Sequence, residues 1–195
     1  MNWSLGHIPF ICENIEIGTN NDIIHLILLG NNEGEGQDET NGSFGTLEIR
    51  NLIIGTNTKI YLGDTTNLSI LGNGVIENNS SFILYGYINI RDQKGTTNIA
   101  LLNNELLSVV GFGGFSVQDA GDYGIHNTAA GVMELEGYSN INSNGSELAK
   151  SAIINEGTIN THGSLSINGQ FLKQAIKNEN NGTLEVKNGS IISVY

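Results

Sequence analysis

Apolar and polar residues alternate along this chain in short runs, and the runs are cut by Gly and Asn. In Thr183-Leu184-Glu185-Val186-Lys187 the alternation places Leu184 and Val186 on one face, the period of a half-buried β-strand. The same choice recurs upstream. Segments beginning at Gly131, Gly157 and Gly182 can be superposed with spacings of 26 and 25 residues, so that Met133/Leu135 and Ile159/Thr161 match Leu184/Val186. An Ile-x-Asn element precedes each one (Ile125-His126-Asn127, Ile153-Ile154-Asn155, Ile176-Lys177-Asn178). Another alternating stretch follows, ending near Ile141, Ile167 and Ile192. One unit therefore predicts three short strands separated by corners.

Strands this short cannot bury an apolar face alone. If units stack, each strand pairs with its copies about 4.8 Å above and below, and inward residues form aliphatic ladders along an axis. Gly and Asn suit the corners, where tight bends favour positive φ. The expected fold is all-β, a parallel β-helix of roughly eight coils at about 25 residues per coil. An antiparallel sandwich of many short strands is the rival reading. Upstream the register is poorer: Gly45-Thr46-Leu47-Glu48-Ile49 nearly repeats Gly182 to Val186, Asn67 to Gly72 follows one short coil later, and Tyr85 to Ile90 and Thr97 to Leu102 read as further strands. Residues 1–30, with Trp3, Pro9 and Phe10, are expected to hold an N-terminal cap and first strands, where Asp22 to Gly30 reads as a buried strand or a short capping helix. Residues 31–42 contain no apolar side chain and predict an exposed acidic loop; residues 43–195 carry the repeats. No cap is visible around Ser190 to Tyr195, so either a longer solenoid or self-association through the solenoid ends is expected.

Composition sharpens this picture. Of 195 residues only 14% are charged, against about 25% in ordinary globular domains. There are 26 Gly and 28 Asn but one Pro and one Cys; the few charges argue against a coiled coil, the single Cys against a disulfide scaffold, and the many Ile, Leu and Val against a disordered tail. A net charge of −12 repels phosphate backbones, so nucleic acid is not expected as a partner. The longest apolar run, Ile23 to Leu29, is far short of a membrane span. Cys12, between Ile11 and Glu13, reads as a small buried residue. Met1 to Gly6 lacks the basic and apolar regions of a secretory signal, so an extracellular chain would be a mature form or a fragment.

Ala152-Ile153-Ile154-Asn155-Glu156-Gly157-Thr158-Ile159-Asn160 and Asn180-Asn181-Gly182-Thr183-Leu184-Glu185-Val186 resemble the repeats of bacterial surface β-helix proteins, namely the passenger regions of autotransporters and of filamentous-haemagglutinin-like adhesins. The likeness is good over residues 121–195, loose over 45–107 and absent from the first 30. The resemblance implies a right-handed β-helix at the bacterial cell surface or outside the cell, acting in adhesion, as a stalk or in a matrix, with a glycan or a host-surface protein as partner. It brings no catalytic residues and no cofactor.

Other right-handed β-helices are polysaccharide lyases, hydrolases or phage tailspike domains, so a carbohydrate-active module is the alternative. Such chemistry needs clustered carboxylates. Asp119, Asp122, His126 and His162 come nearest, and Thr161 to Ser166 superficially resembles the His-Gly motif of pectin-degrading hydrolases. Paired adjacent Asp residues and a downstream Arg-x-Lys do not accompany it, so no catalytic residue is assigned. His162 reads instead as one member of a Glu136–His162–Lys187 row on the outer surface, and Asp119 and Asp122 as turn residues around Gly121. Glu33, Glu35, Asp38 and Glu39 supply the oxygen ligands Ca²⁺ prefers, but at the spacing of no calcium loop, so no metal is expected. The four His residues, at 7, 25, 126 and 162, have no zinc-ligand spacing. Partner or glycan contacts, if present, fall on Phe112 and Phe115, which bracket Gly113-Gly114, and on Tyr85, which should share a face with Tyr87.

Overall fold

A computed structural model describes residues 14–18, 23–26, 45–63, 66–70, 74–91, 99–118, 122–143, 149–169, 171–187 and 189–195. Three parallel sheets of seven strands each wind around one axis, and every strand between the first and last coils pairs with the strands three before and three after it in the chain. The first coil contributes Asn14–Ile17, Ile23–Leu26 and Gly45–Ile49, one to each sheet; the fifth contributes Tyr123–Asn127, Val132–Leu135 and Tyr138–Ser143. The parallel solenoid is thus the fold, and the antiparallel sandwich is excluded because every pairing runs parallel. Among the described residues the rungs number seven, against roughly eight expected. No described helix is long and apolar enough to cross a membrane.

The predicted alternation becomes the inside–outside pattern. Strands such as Asn51–Ile54, Ser81–Leu84 and Val132–Leu135 alternate between half-buried and fully buried positions. Inward side chains stack in register, as in Ile15, Leu52, Ile76, Leu101, Ile125, Ile153 and Ile176. The Met133, Ile159, Leu184 alignment holds in the same way. Fully burying one such aliphatic side chain stabilises the fold by roughly 1.5–3 kcal/mol. From Leu52 onward that ladder advances by 24, 25, 24, 28 and 23 residues, whereas the step from Ile15 to Leu52 is 37. The long first coil, which includes residues 31–42, is why length divided by 25 overcounts the rungs.

Two expectations need correction or relocation. Gly45–Ile49 looks like Gly182–Val186 but belongs to the third sheet, whereas Thr183–Val186 lies in the second. Alternation dictates which face a residue takes; it carries no label for which side of the triangular coil the strand forms. Ile23–Leu26 forms a strand of the second sheet beside Lys59–Leu62, which decides between strand and capping helix. The cap expected in the first residues, with Trp3, Pro9, Phe10 and Cys12, and the acidic loop 31–42 lie outside the described residues.

Corners are tight because coils approach closely. A Cβ on Gly157 would collide with the main-chain oxygens of Gly131 and Thr128, so this corner excludes any larger residue. Positive φ is required more rarely, at Asn57, Asn180 and Asn181 among the described Asn residues. Bends alone therefore do not explain so much asparagine.

Candidate functional surface

The larger use of asparagine is a ladder at the ends of the first-sheet strands. Asn78 Nδ2 donates to Asn103 Oδ1 (2.7 Å), Asn103 to Asn127 (2.7 Å), Asn127 to Asn155 (2.8 Å) and Asn155 to Asn178 (3.0 Å). Each amide also donates to a main-chain carbonyl of the following coil's second-sheet strand: Leu106, Val132, Thr158 and Thr183 in turn. Asn78, Asn103, Asn127 and Asn155 are fully buried, so these bonds satisfy groups that would otherwise be costly to desolvate. The Ile-x-Asn repeat had marked three of the five rungs. Asn78 closes a further Ile-x-Asn, Ile76-Glu77-Asn78, that the sequence reading missed, and Asn103, in Leu101-Leu102-Asn103, carries the same signal with Leu for Ile.

Charged groups on the outside pair with their neighbours. Lys150 Nζ donates to Asp122 Oδ2 at 2.6 Å and lies 5.8 Å from the Tyr123 ring centre; the Asp122 hydrogen bond holds its ammonium above the usual lysine range. His162 Nε2 lies 3.2 Å from Glu134 Oε2, while Asn160 Nδ2 donates to the other oxygen of the same carboxylate at 2.7 Å. Glu136, His162 and Lys187 do occupy equivalent corners, yet the side chains reach elsewhere: His162 to Glu134, Lys187 to Glu185. His126 Nε2 is 3.6 Å from Glu156 Oε1. The groups weighed for catalysis are thus split, Asp122 at the bend before the first-sheet strand Tyr123–Asn127 and His126 within it, with different partners, and His162 on the second-to-third corner; Asp119 lies outside the described residues. So do the metal candidates Glu33, Glu35, Asp38 and Glu39; among the described residues no group of three or more His, Cys, Asp or Glu is placed to hold a metal ion.

The aromatic candidates separate. Phe112 stands fully exposed on a corner, in a turn closed by Gly113 N donating to Val110 O at 3.0 Å, with Gly111 at φ 60°. Phe115, expected to share a contact with it, is fully buried in the core: the two residues between them take the chain round the corner, and position 115 falls on an inward register beside Ile88. Tyr85 is 43% exposed at the preceding coil's corner and stacks on Tyr61, with ring centres 6.5 Å apart and planes 17° off parallel. It does not share a face with Tyr87, because Gly86 turns the chain into the third sheet between them. Tyr87 lies against Gly114, where a Cβ would strike its ring, and bonds to Ser116. Burial pushes its phenol above the ordinary value, opposed by the Ser116 bond and reinforced by Tyr138.

A shallow groove of about 350 Å³ opens at the corner entering the second sheet, lined by Thr56, Asn57, Asn79, Ser80, Ser81, Glu105 and Leu106. Tyr85 and Phe112 mark the corner leaving that sheet, so polar groove and exposed aromatics sit at opposite ends of the same strands. Compared with known proteins, the chain matches no family model, no curated protein and no solved structure.

Proposed function

We propose that this chain is a non-enzymatic structural or adhesive β-solenoid module of a bacterial surface or extracellular protein, a right-handed column that spaces or displays rather than transforms. One observation carries this reading: among the described residues, the groups weighed for catalysis are spent on neighbouring coils. Asp122 meets Lys150, Glu134 meets His162 and Asn160, and the buried amides meet one another, while the exposed aromatics lie away from the polar groove. A polysaccharide-cleaving site would bring carboxylates together in one cleft. The repeats' resemblance to autotransporter and filamentous-haemagglutinin-like passengers supports the surface location, and seven rungs roughly 4.8 Å apart give a column about 30 Å long, the shape a spacer needs.

Two measurements test it together. Protease added to intact cells of the source should remove the natively expressed chain while cytoplasmic proteins survive, and the purified chain should release no oligosaccharide from a panel of neutral and acidic bacterial polysaccharides. A chain protected from external protease would defeat the surface reading; released sugar would make it a carbohydrate-active enzyme.

A further inference from the structure

We propose that the corner leaving the second sheet on coils three to five is a binding site for neutral polysaccharide, with Phe112 as its central stacking surface between Tyr85 and Tyr138. On coils one to six, the large apolar side chains that stand exposed among the described residues are these three. They fall on consecutive rungs at one corner, so Tyr85 and Tyr138 lie two rungs, about 10 Å, apart along the axis. Single exposed apolar residues are ordinary on a surface; three in line are not scatter. The middle rung shows how much structure goes into this display. The third coil turns the corner with two residues, Tyr85 and Gly86, and the fifth with Glu136 and Gly137, whereas the fourth uses four, Val110 to Gly113. The longer corner closes a turn, with Gly113 N donating to Val110 O and Gly111 in the left-handed region, and holds Phe112 out from the column. Ordering two extra residues costs conformational entropy, and the fully exposed phenyl ring buries nothing in return. That cost is offset only when something outside the chain covers the ring. The backbone beneath is close-packed: a Cβ on Gly113 would strike Leu84 O, and one on Gly137 would strike Gly113 O. Tyr61 stacks on Tyr85, and Tyr87 lies over Gly114, the register neighbour of Tyr138, so the outer rings are held in place by further rings.

Area, charge and chemistry together choose the occupant. The three rings expose roughly 400 Å² of aromatic surface, about half of what each partner buries in a stable protein–protein interface. The charged side chain on these three corners is Glu136, and the net charge of the chain is −12, which disfavours acidic polysaccharide and anionic lipid. A pyranose ring offers an apolar C–H face that lies flat on an aromatic ring, and a rim of hydroxyls that hydrogen-bond to hydroxyl, amide and carboxylate groups. Such groups flank the row: Ser108 and Glu134 at outward positions of the second sheet, Asn89 and Asn140 at outward positions of the third. Successive rungs then present successive stacking surfaces to a linear sugar chain lying along the axis.

This inference rests on the adhesive reading above, yet its test is separate, since it uses the purified chain rather than cells. Affinity electrophoresis in native gels containing a soluble β-glucan, a mannan or a galactan should retard the chain with at least one of them, and alginate, a carboxylated polysaccharide, should retard it less. Phe112→Ala should weaken that binding roughly tenfold or more, as truncation at the centre of a site does, and Tyr138→Ala severalfold. Both side chains are exposed, and circular dichroism verifies that each variant is folded. Phe112→Trp should keep the binding, whereas Phe112→Leu, apolar but without a flat ring, should lose it as the Ala variant does. Absence of retardation by every neutral polysaccharide overturns the proposal, and so does stronger retardation by alginate. A Phe112→Leu variant that binds as well as the unaltered chain also overturns it, because a general hydrophobic contact tolerates Leu. A chain that binds no polysaccharide keeps the structural reading and loses this site, whereas release of sugar from the bound polysaccharide overturns the non-enzymatic reading and leaves the site standing.

Discussion

A polar atom inside this column is tolerated only where another coil answers it. Asn127 is answered on both sides; Thr161 is not. Thr161 is fully buried between Leu135 and Val186, and its hydroxyl has no hydrogen-bond partner. A buried unsatisfied hydroxyl costs about 1–3 kcal/mol, and Val has nearly the same shape without that oxygen. Thr161→Val is expected to raise the unfolding free energy by about 1 kcal/mol, measured by urea denaturation followed by circular dichroism. Lower stability would mean that the hydroxyl has found a partner. Such residues limit what a sequence reveals: Thr161 occupies an apolar position of the repeat by register, and only that register marks its side chain as inward.

At the scale of the strand and its corner, the repeat was legible and the reason for its composition was not. Alternation in Val132–Leu135, Thr158–Thr161 and Thr183–Val186 fixed three aligned strands and their inward faces. It left open that Gly45–Ile49 belongs to another sheet, because neighbouring sides of the coil share one alternation rule. It also assigned asparagine to bends, when five asparagines hold a ladder whose hydrogen bonds join residues 23 to 28 positions apart. Corner residues such as Phe112 and Phe115 are harder still, since two intervening residues decide between full exposure and full burial. The ladder makes a positional prediction. Asn127→Ala removes bonds to Asn103, Asn155, Gly131 and Thr158 from a buried rung and is expected to cost about 2–4 kcal/mol, whereas Asn178→Ala at the exposed last rung should cost about 1 kcal/mol or less. Equal losses in chemical denaturation would show that the ladder adds nothing beyond a local side-chain bond.

In the whole molecule every coil touches only its neighbours, so stability should vary along the axis rather than belong to the column uniformly. Interior coils are clasped from both sides: Leu106–Val109 pairs with Ser81–Leu84 and with Val132–Leu135 around fully buried Leu107 and Val109. Ile191–Val194 pairs with Ser164–Gly169 alone and leaves Val194 half exposed. Local opening of the last coil thus uncovers one interface where opening an interior coil must break two. Hydrogen exchange under native conditions should accordingly find the amides of residues 191–194 exchanging at least about tenfold faster than those of residues 106–109 at dilute concentration. Uniform protection from end to end would mean that all seven rungs open as one cooperative unit, so that the missing neighbour of the last described coil does not lower its local stability.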